Sequence, residues 1–222
     1  MPVTLHVWRV PGRRVGAAML RIPLSWLTVK NVRFAKFLGT GTGTSFGPGD
    51  ADLTRYAAVT VSDDPIELPG WDRLAVARAR VDLTPLTSRG TWSGRKPFGD
   101  PKPGRSDGMV LALTRARLRP RAALTFWRAV PPVARELHAA PGLLARFGMG
   151  EAPIGWQGTV SVWRDAADLT RFAYRQPEHR AVIARTPAAR WYAEELFARF
   201  AVDRITGDRA VLGWLEEGQT EV

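Results

Sequence analysis

The chain has 222 residues, enough for one large domain or two small packed ones, and its 45% hydrophobic content with nine Trp and nine Phe can fill a core. It has no cysteine, which removes zinc ribbons, thiolate-held metals, iron–sulfur clusters, disulfides and cysteine nucleophiles together. The net charge of +11 would attract nucleic acid or an anionic membrane, but it reads as arginine scattered along the chain, with Lys30, Lys36, Lys96 and Lys102 the only lysines, so no nucleic-acid partner is expected and a peripheral membrane contact stays open.

In chain order, Val3–Arg9 reads as an opening strand by its β-branched and aromatic content. A helix is expected around Trp26–Val32, then strands at Phe34–Gly41 and Tyr56–Ser62 separated by a Gly/Pro-rich loop, and a returning strand at Leu74–Leu83. The Pro, Gly, Ser and Arg content of 89–108 marks a connection between halves. Met109–Arg117 then predicts a strand, and Leu124–His138 a helix with Phe126, Trp127, Val130, Val133 and Leu137 on one face. Leu144–Gly150 and Gly158–Trp163 predict a strand pair, followed by a helix from Asp165 and another near Trp191–Phe200. The second half repeats the first in kind, with Phe37–Gly43 (FLGTGTG) matching Phe147–Pro153 (FGMGEAP). The expected architecture is α+β, two β-α-β-β-α-β ferredoxin-like repeats at 1–88 and 109–222, packed as one unit.

The stretch Trp163–Tyr192 sets His179 in an aromatic- and arginine-rich frame. Imidazole is the commonest metal ligand and a frequent proximal ligand of haem iron, and arginines such as Arg175 and Arg185 suit haem propionates. The competing reading is a surface histidine at a helix start, beside Glu178. His6 in a strand and His138 at a helix C-terminus read as structural. Arg115 and Arg117 share one face of their strand, and Gln157, Thr159 and Ser161 one face of theirs; polar side chains alternating on a half-buried strand meet a ligand, a partner subunit or one another.

Gly39–Gly43 lacks both the Gly-Lys-Ser/Thr ending of a P-loop and the spacing of a dinucleotide fingerprint, so it reads as a tight backbone bend. Glu194 and Glu195, taken as helical neighbours, point different ways and read as ion-pair partners of Arg190 or Arg199.

Leu113–Pro120 (LTRARLRP), Phe126–Pro132 (FWRAVPP), Gly148–Ile154 (GMGEAPI), Phe172–Arg175 with His179, and Trp191–Phe200 (WYAEELFARF) together resemble the spheroidene monooxygenase family, the acyclic carotenoid 2-ketolases. Phe37–Gly43 and Gly90–Gly94 (GTWSG) extend the resemblance into the first half. It implies a dimeric α/β-barrel-type scaffold and a haem b oxygenase that uses dioxygen and an external electron donor such as a ferredoxin to oxidise a hydrophobic substrate, in that family at C-2 of an acyclic carotenoid.

Under that resemblance His179 is the axial iron ligand, Arg175 and Arg117 contact the cofactor, Arg115 serves a distal or propionate contact, and Gln157 hydrogen-bonds near bound oxygen. A cytoplasmic location is expected from the lack of a signal at Met1–Pro11 and of any apolar run near the ~20 residues of a membrane helix, and a homodimer is compatible with the scaffold. The alternatives are a haem dehydratase of the aldoxime-dehydratase type, a haem carrier or sensor with His6 or His138 as a second ligand, and a basic membrane- or RNA-associated module.

Overall fold

The structure, a computed structural model, describes residues 2–102, 104–151, 156–175 and 191–215, with the side chains of Pro48 and Arg175 outside that description. The first half runs β1 (Val3–Arg9), α1 (Val15–Thr28), β2 (Val32–Gly41), β3 (Ala51–Ser62), a single turn α2 (Pro69–Asp72) and β4 (Ala77–Gly90). The second runs β5 (Val110–Leu118), α3 (Ala123–His138), β6 (Leu143–Gly150), β7 (Trp156–Trp163), α4 (Ala166–Arg175) and β8 (Tyr192–Gly207). The strands close into one antiparallel barrel in the order β1-β3-β2-β6-β7-β5-β8-β4. Both halves therefore have the same element order, and the strand order β4-β1-β3-β2 of the first is that of the second, β8-β5-β7-β6.

Period-two alternation decides what each strand puts inside. Val3, Leu5 and Val7 of β1 point into the barrel with Leu111 and Leu113 of β5, Phe147 of β6, Val160 and Val162 of β7, and Leu196, Ala198 and Phe200 of β8. One core thus spans both halves. The alternate residues face outward, under the helices. In the first half these are Trp8, Phe37, Tyr56 and Ala58, packed with Trp71 of α2 and Ala18 of α1. No helix among the described residues is long and apolar enough to cross a membrane.

Two seams join the halves. β4 and β8 pair over a long ladder, from Ala79↔Gly207 to Gly90↔Leu196. β2 and β6 meet over only Gly39↔Gly150, Thr40↔Met149 and Gly41↔Gly148. The two glycine-rich motifs that look like equivalents in sequence are thus hydrogen-bonded neighbours. Beyond the seam, the N–H groups of Gly43, Thr44, Ser45 and Phe46 all donate to the carboxylate of Asp50, so this nest of amides already holds its own anion rather than a phosphate.

Three sequence expectations change. The helix expected near Trp191–Phe200 is instead the start of β8, which pairs with both β4 and β5; the ladder on both sides overrides a spacing that also suits a helix. The first helix is Val15–Thr28, starting well before the expected Trp26–Val32, and Val32 already belongs to β2; its apolar residues line an exposed face, so no buried stripe marks it in the sequence. The 89–108 connection is partly core: Trp92 is fully buried and Phe98 nearly so, and together they plug one end of the barrel. The plug begins at Gly90 (φ +93°), where a Cβ would lie 2.1 Å from the Glu195 carbonyl oxygen.

Candidate active site

The outer face of the second sheet is paved with small side chains. Ala112, Thr114 and Ala116 of β5, Gly148 and Gly150 of β6, and Thr159 and Ser161 of β7 line a cavity of about 1660 Å³. α3 roofs it with Phe126, Trp127, Val130, Val133 and Leu137, the face that the helical spacing predicts. α4 adds Leu169, Phe172, Ala173 and Tyr174. This helix starts with the Asp165 carboxylate accepting the Asp168 N–H (2.8 Å), an N-terminal cap. Single-ligand pockets run to roughly 300–1,000 Å³. The cavity has room for a cofactor and a bulky substrate together.

Gln157 projects from the same face of β7, and its Oε1 accepts from Trp127 Nε1 at 3.0 Å. Since an indole N–H can only donate, the bond fixes which end of the amide meets α3 and leaves the Gln157 NH2 group as donor. Arg89, Arg119 and Arg199 also line the cavity. Arg119 Nε donates to the Tyr192 carbonyl (3.0 Å), while Arg199 lies over the Tyr174 ring and Arg89 over Phe197. Of these three arginines only Arg199 is a candidate from the sequence, and that as an ion-pair partner. The signal was available at Arg199, which alternates with Phe197 on the outer face of β8.

Arg115 and Arg117 do share a face of β5, and it is the face turned into the barrel. Arg115 is buried, and its guanidinium donates to Glu151 Oε1 from Nη2 (2.8 Å) and Nε (3.1 Å) and to Glu194 from Nη1. Trp92 Nε1 (2.7 Å) and Lys36 Nζ (2.7 Å) complete the shell of Glu151, while Gly94 N–H and Thr91 Oγ1 reach Glu194. Burial alone would raise the Glu194 carboxyl; the hydrogen bonds from Gly94, Arg115 and Thr91 outweigh it and bring it down to about 2. Arg115, Glu151, Glu194 and Trp156 border the cavity where this ionic knot meets it. Arg117 lies over the Trp156 ring. Glu194 and Glu195 sit on a strand rather than a helix; Glu194 pairs with Arg115, and Glu195 with Arg89 at 3.6 Å.

Neither described histidine lines the cavity. His6 is buried on the outer face of the first sheet, stacked on Trp8, and burial with nearby Arg80 lowers its pKa to about 4. His138 Nε2 contacts the Gly43 carbonyl at 2.9 Å, and burial lowers its pKa despite that contact. Among the described residues no group of three His, Asp or Glu side chains is arranged to hold a metal. His179 and Arg185 lie outside the described residues, as does the side chain of Arg175. The described chain on either side of that segment lines the cavity, through Phe172–Tyr174 before it and Tyr192–Glu194 after it.

No profile of a known protein family matches the chain. Spheroidene monooxygenase of Rhodobacter capsulatus is 34% identical over 184 residues, covering 76% of this chain and 75% of that protein. Its counterpart in Rubrivivax gelatinosus is 34% identical over 185 residues, covering 79% and 70%. That of Cereibacter sphaeroides is 30% identical, covering 77% of this chain and 56% of a longer protein. Among solved structures, an aldoxime dehydratase superposes with a TM-score of 0.55 at 10% identity, covering 90% of this chain and 80% of that one, and a second, solved with butyraldoxime, with 0.54 at 9%. These two likenesses show a shared fold. The three sequence relatives show more: the chain belongs to the spheroidene monooxygenase family and is an oxidoreductase of the monooxygenase type.

Proposed function

We propose that the chain is a haem-dependent monooxygenase that oxidises an acyclic carotenoid to a 2-ketone, with haem b and substrate in the cavity beneath α3 and α4. The observation that carries this reading is the cavity itself. Its floor of Ala, Gly, Thr and Ser leaves open volume above the sheet that a flat macrocycle would occupy, and its aromatic and aliphatic roof suits an apolar chain. Bound haem would supply an iron centre for the activation of dioxygen.

In this reading His179 holds the iron, since both described histidines lie elsewhere and the chain flanking His179 lines the cavity. Arg119 and Arg199 at the cavity wall offer guanidinium partners for propionates, joined by Arg175, which follows Tyr174 directly. Arg117, on the barrel-facing side of β5 and packed over the Trp156 ring, does not line the cavity and is no longer a cofactor contact in this reading. The Gln157 amide, oriented by Trp127, donates a hydrogen bond where oxygen is handled. Arg115 acts as a positioning residue, holding Glu151 and Glu194 at the cavity edge. The Phe126–Leu137 face excludes water, so that reducing equivalents from an external donor such as a ferredoxin are spent on substrate. The two halves are ferredoxin-like repeats, and the protein works in the cytoplasm, with a homodimer compatible with this arrangement.

The test is product analysis after turnover with isotopically labelled dioxygen. One labelled oxygen atom in the product is expected, measured before exchange with water. An oxidised product carrying no label, or a dehydrated one, would contradict the oxygenase.

A further inference from the structure

Helix α1 turns its apolar residues outward. It buries only Ala18 and Ser25, while Met19, Leu20, Leu24, Trp26 and Leu27 are 52–72% exposed. At helical spacing Leu20, Leu24 and Leu27 form one line, with Met19, Pro23 and Trp26 on the next. A contiguous apolar patch of this kind marks an interaction surface. Arg21 is the only charged residue in the helix.

The surroundings specify the partner. Arg13 and Arg14 precede the helix, Lys30 follows it, and exposed Arg73 lies beside Arg14, whose Nη1 donates to the Arg73 carbonyl (2.7 Å). The first 49 residues hold seven Lys and Arg and no Asp or Glu; Arg9, Arg33 and Lys36 pair with Asp52, Asp63 and Glu151, and Arg13, Arg14, Arg21 and Lys30 are left in and around the helix as a local cluster of positive charge. A second copy docking through the same face would bring like charges together with no nearby carboxylate from this segment to offset them. An anionic bilayer is complementary to both features, taking apolar side chains at the acyl boundary, Trp at the interface and Lys and Arg at the phosphates. Met19, Ile22 and Pro23 also line the cavity, so the exposed face and the cavity mouth are continuous.

We infer that α1 lies in the interfacial plane of an anionic lipid bilayer and opens the cavity mouth to it, so that an apolar substrate passes from membrane to site without crossing water. The delivery step rests on the proposed function; the docking does not.

Vesicle flotation tests the docking and needs neither cofactor nor turnover, so its failure and that of the oxygenase reading are distinguishable. The whole protein is floated with phosphatidylcholine vesicles, alone or mixed with phosphatidylglycerol. Recovery with the anionic vesicles should exceed that with neutral ones by about ten-fold or more and fall as salt is raised. The double variant Leu20→Glu/Trp26→Glu should stay unbound while keeping the parent's circular dichroism and unfolding temperature, because both side chains are exposed. No preference for anionic vesicles would overturn the inference, as would flotation of the variant at the parent's level. A solution dimer that the double variant splits would assign the face to a second copy instead, also overturning it.

Discussion

The two halves of the barrel share element order and strand order yet treat the outer faces of their sheets oppositely. In the first half Trp8, Phe37, Tyr56 and Trp71 fill the space under α1, with Trp71 stacked at 5.1 Å on Trp8 and 6.2 Å from Phe37. In the second half the outward positions of β5 and β7 carry Ala112, Thr114, Ala116, Thr159 and Ser161, and the missing side-chain volume opens the cavity, which Tyr56 and α1 border from the first half. One topology therefore yields a packed support and an open cavity, and side-chain size on one face of a sheet decides which.

The sharpest way to break that contrast is to empty the full half. Trp71→Ala should cost about 3–5 kcal/mol, since it removes a buried indole and leaves a void among aromatic rings, and a denaturant midpoint measures it. Its indole also donates to Ser25 Oγ (2.8 Å), so the loss includes a tie to α1.

His6 gives a second handle on the packed half, through pH. Its folded pKa of about 4 lies below the ordinary 6.5, so the unfolded chain takes up the proton first as pH falls. The stability from neutral His6 is complete above pH 6.5 and is lost on the way down to pH 4, by on the order of 3 kcal/mol. His6→Phe, which keeps a ring on Trp8, should flatten the dependence of unfolding temperature on pH across that window. An unchanged slope would assign the acid sensitivity elsewhere.

Filling the empty half should do the reverse of emptying the full one. Thr114→Trp places an indole in the cavity, so stability should move by less than about 1 kcal/mol while cofactor and substrate binding are lost. A large loss of stability would mean that the cavity floor is tightly packed, and the contrast between halves would fail.

The same contrast explains what could be read in the sequence. β5, α3, β6 and β7 follow from periodicity, because each has one clear core-facing side. The bounds of α1 are not legible because its apolar residues face outward, and period alone does not say which side is buried. The start of β8 reads as a helix because Trp191, Glu194, Glu195 and Ala198 also fit helical spacing, and its two partner strands decide the matter. The bond from Arg115 to Glu151 spans 36 residues and that to Glu194 spans 79, distances at which no local pattern points to a partner. Trp92 carried no sign that a Gly/Ser/Pro segment would plug a barrel. The acid-free first 49 residues were in plain sight, hidden by averaging charge over the whole chain.

In the proposed function the emptied half holds haem through His179. The absorption spectrum of protein produced with a haem supply, compared with His179→Ala, tests it most directly. A Soret band is expected in the parent and is lost or strongly shifted in the variant, with circular dichroism unchanged. A parent without a Soret band, or a variant with the parent's spectrum, would contradict it.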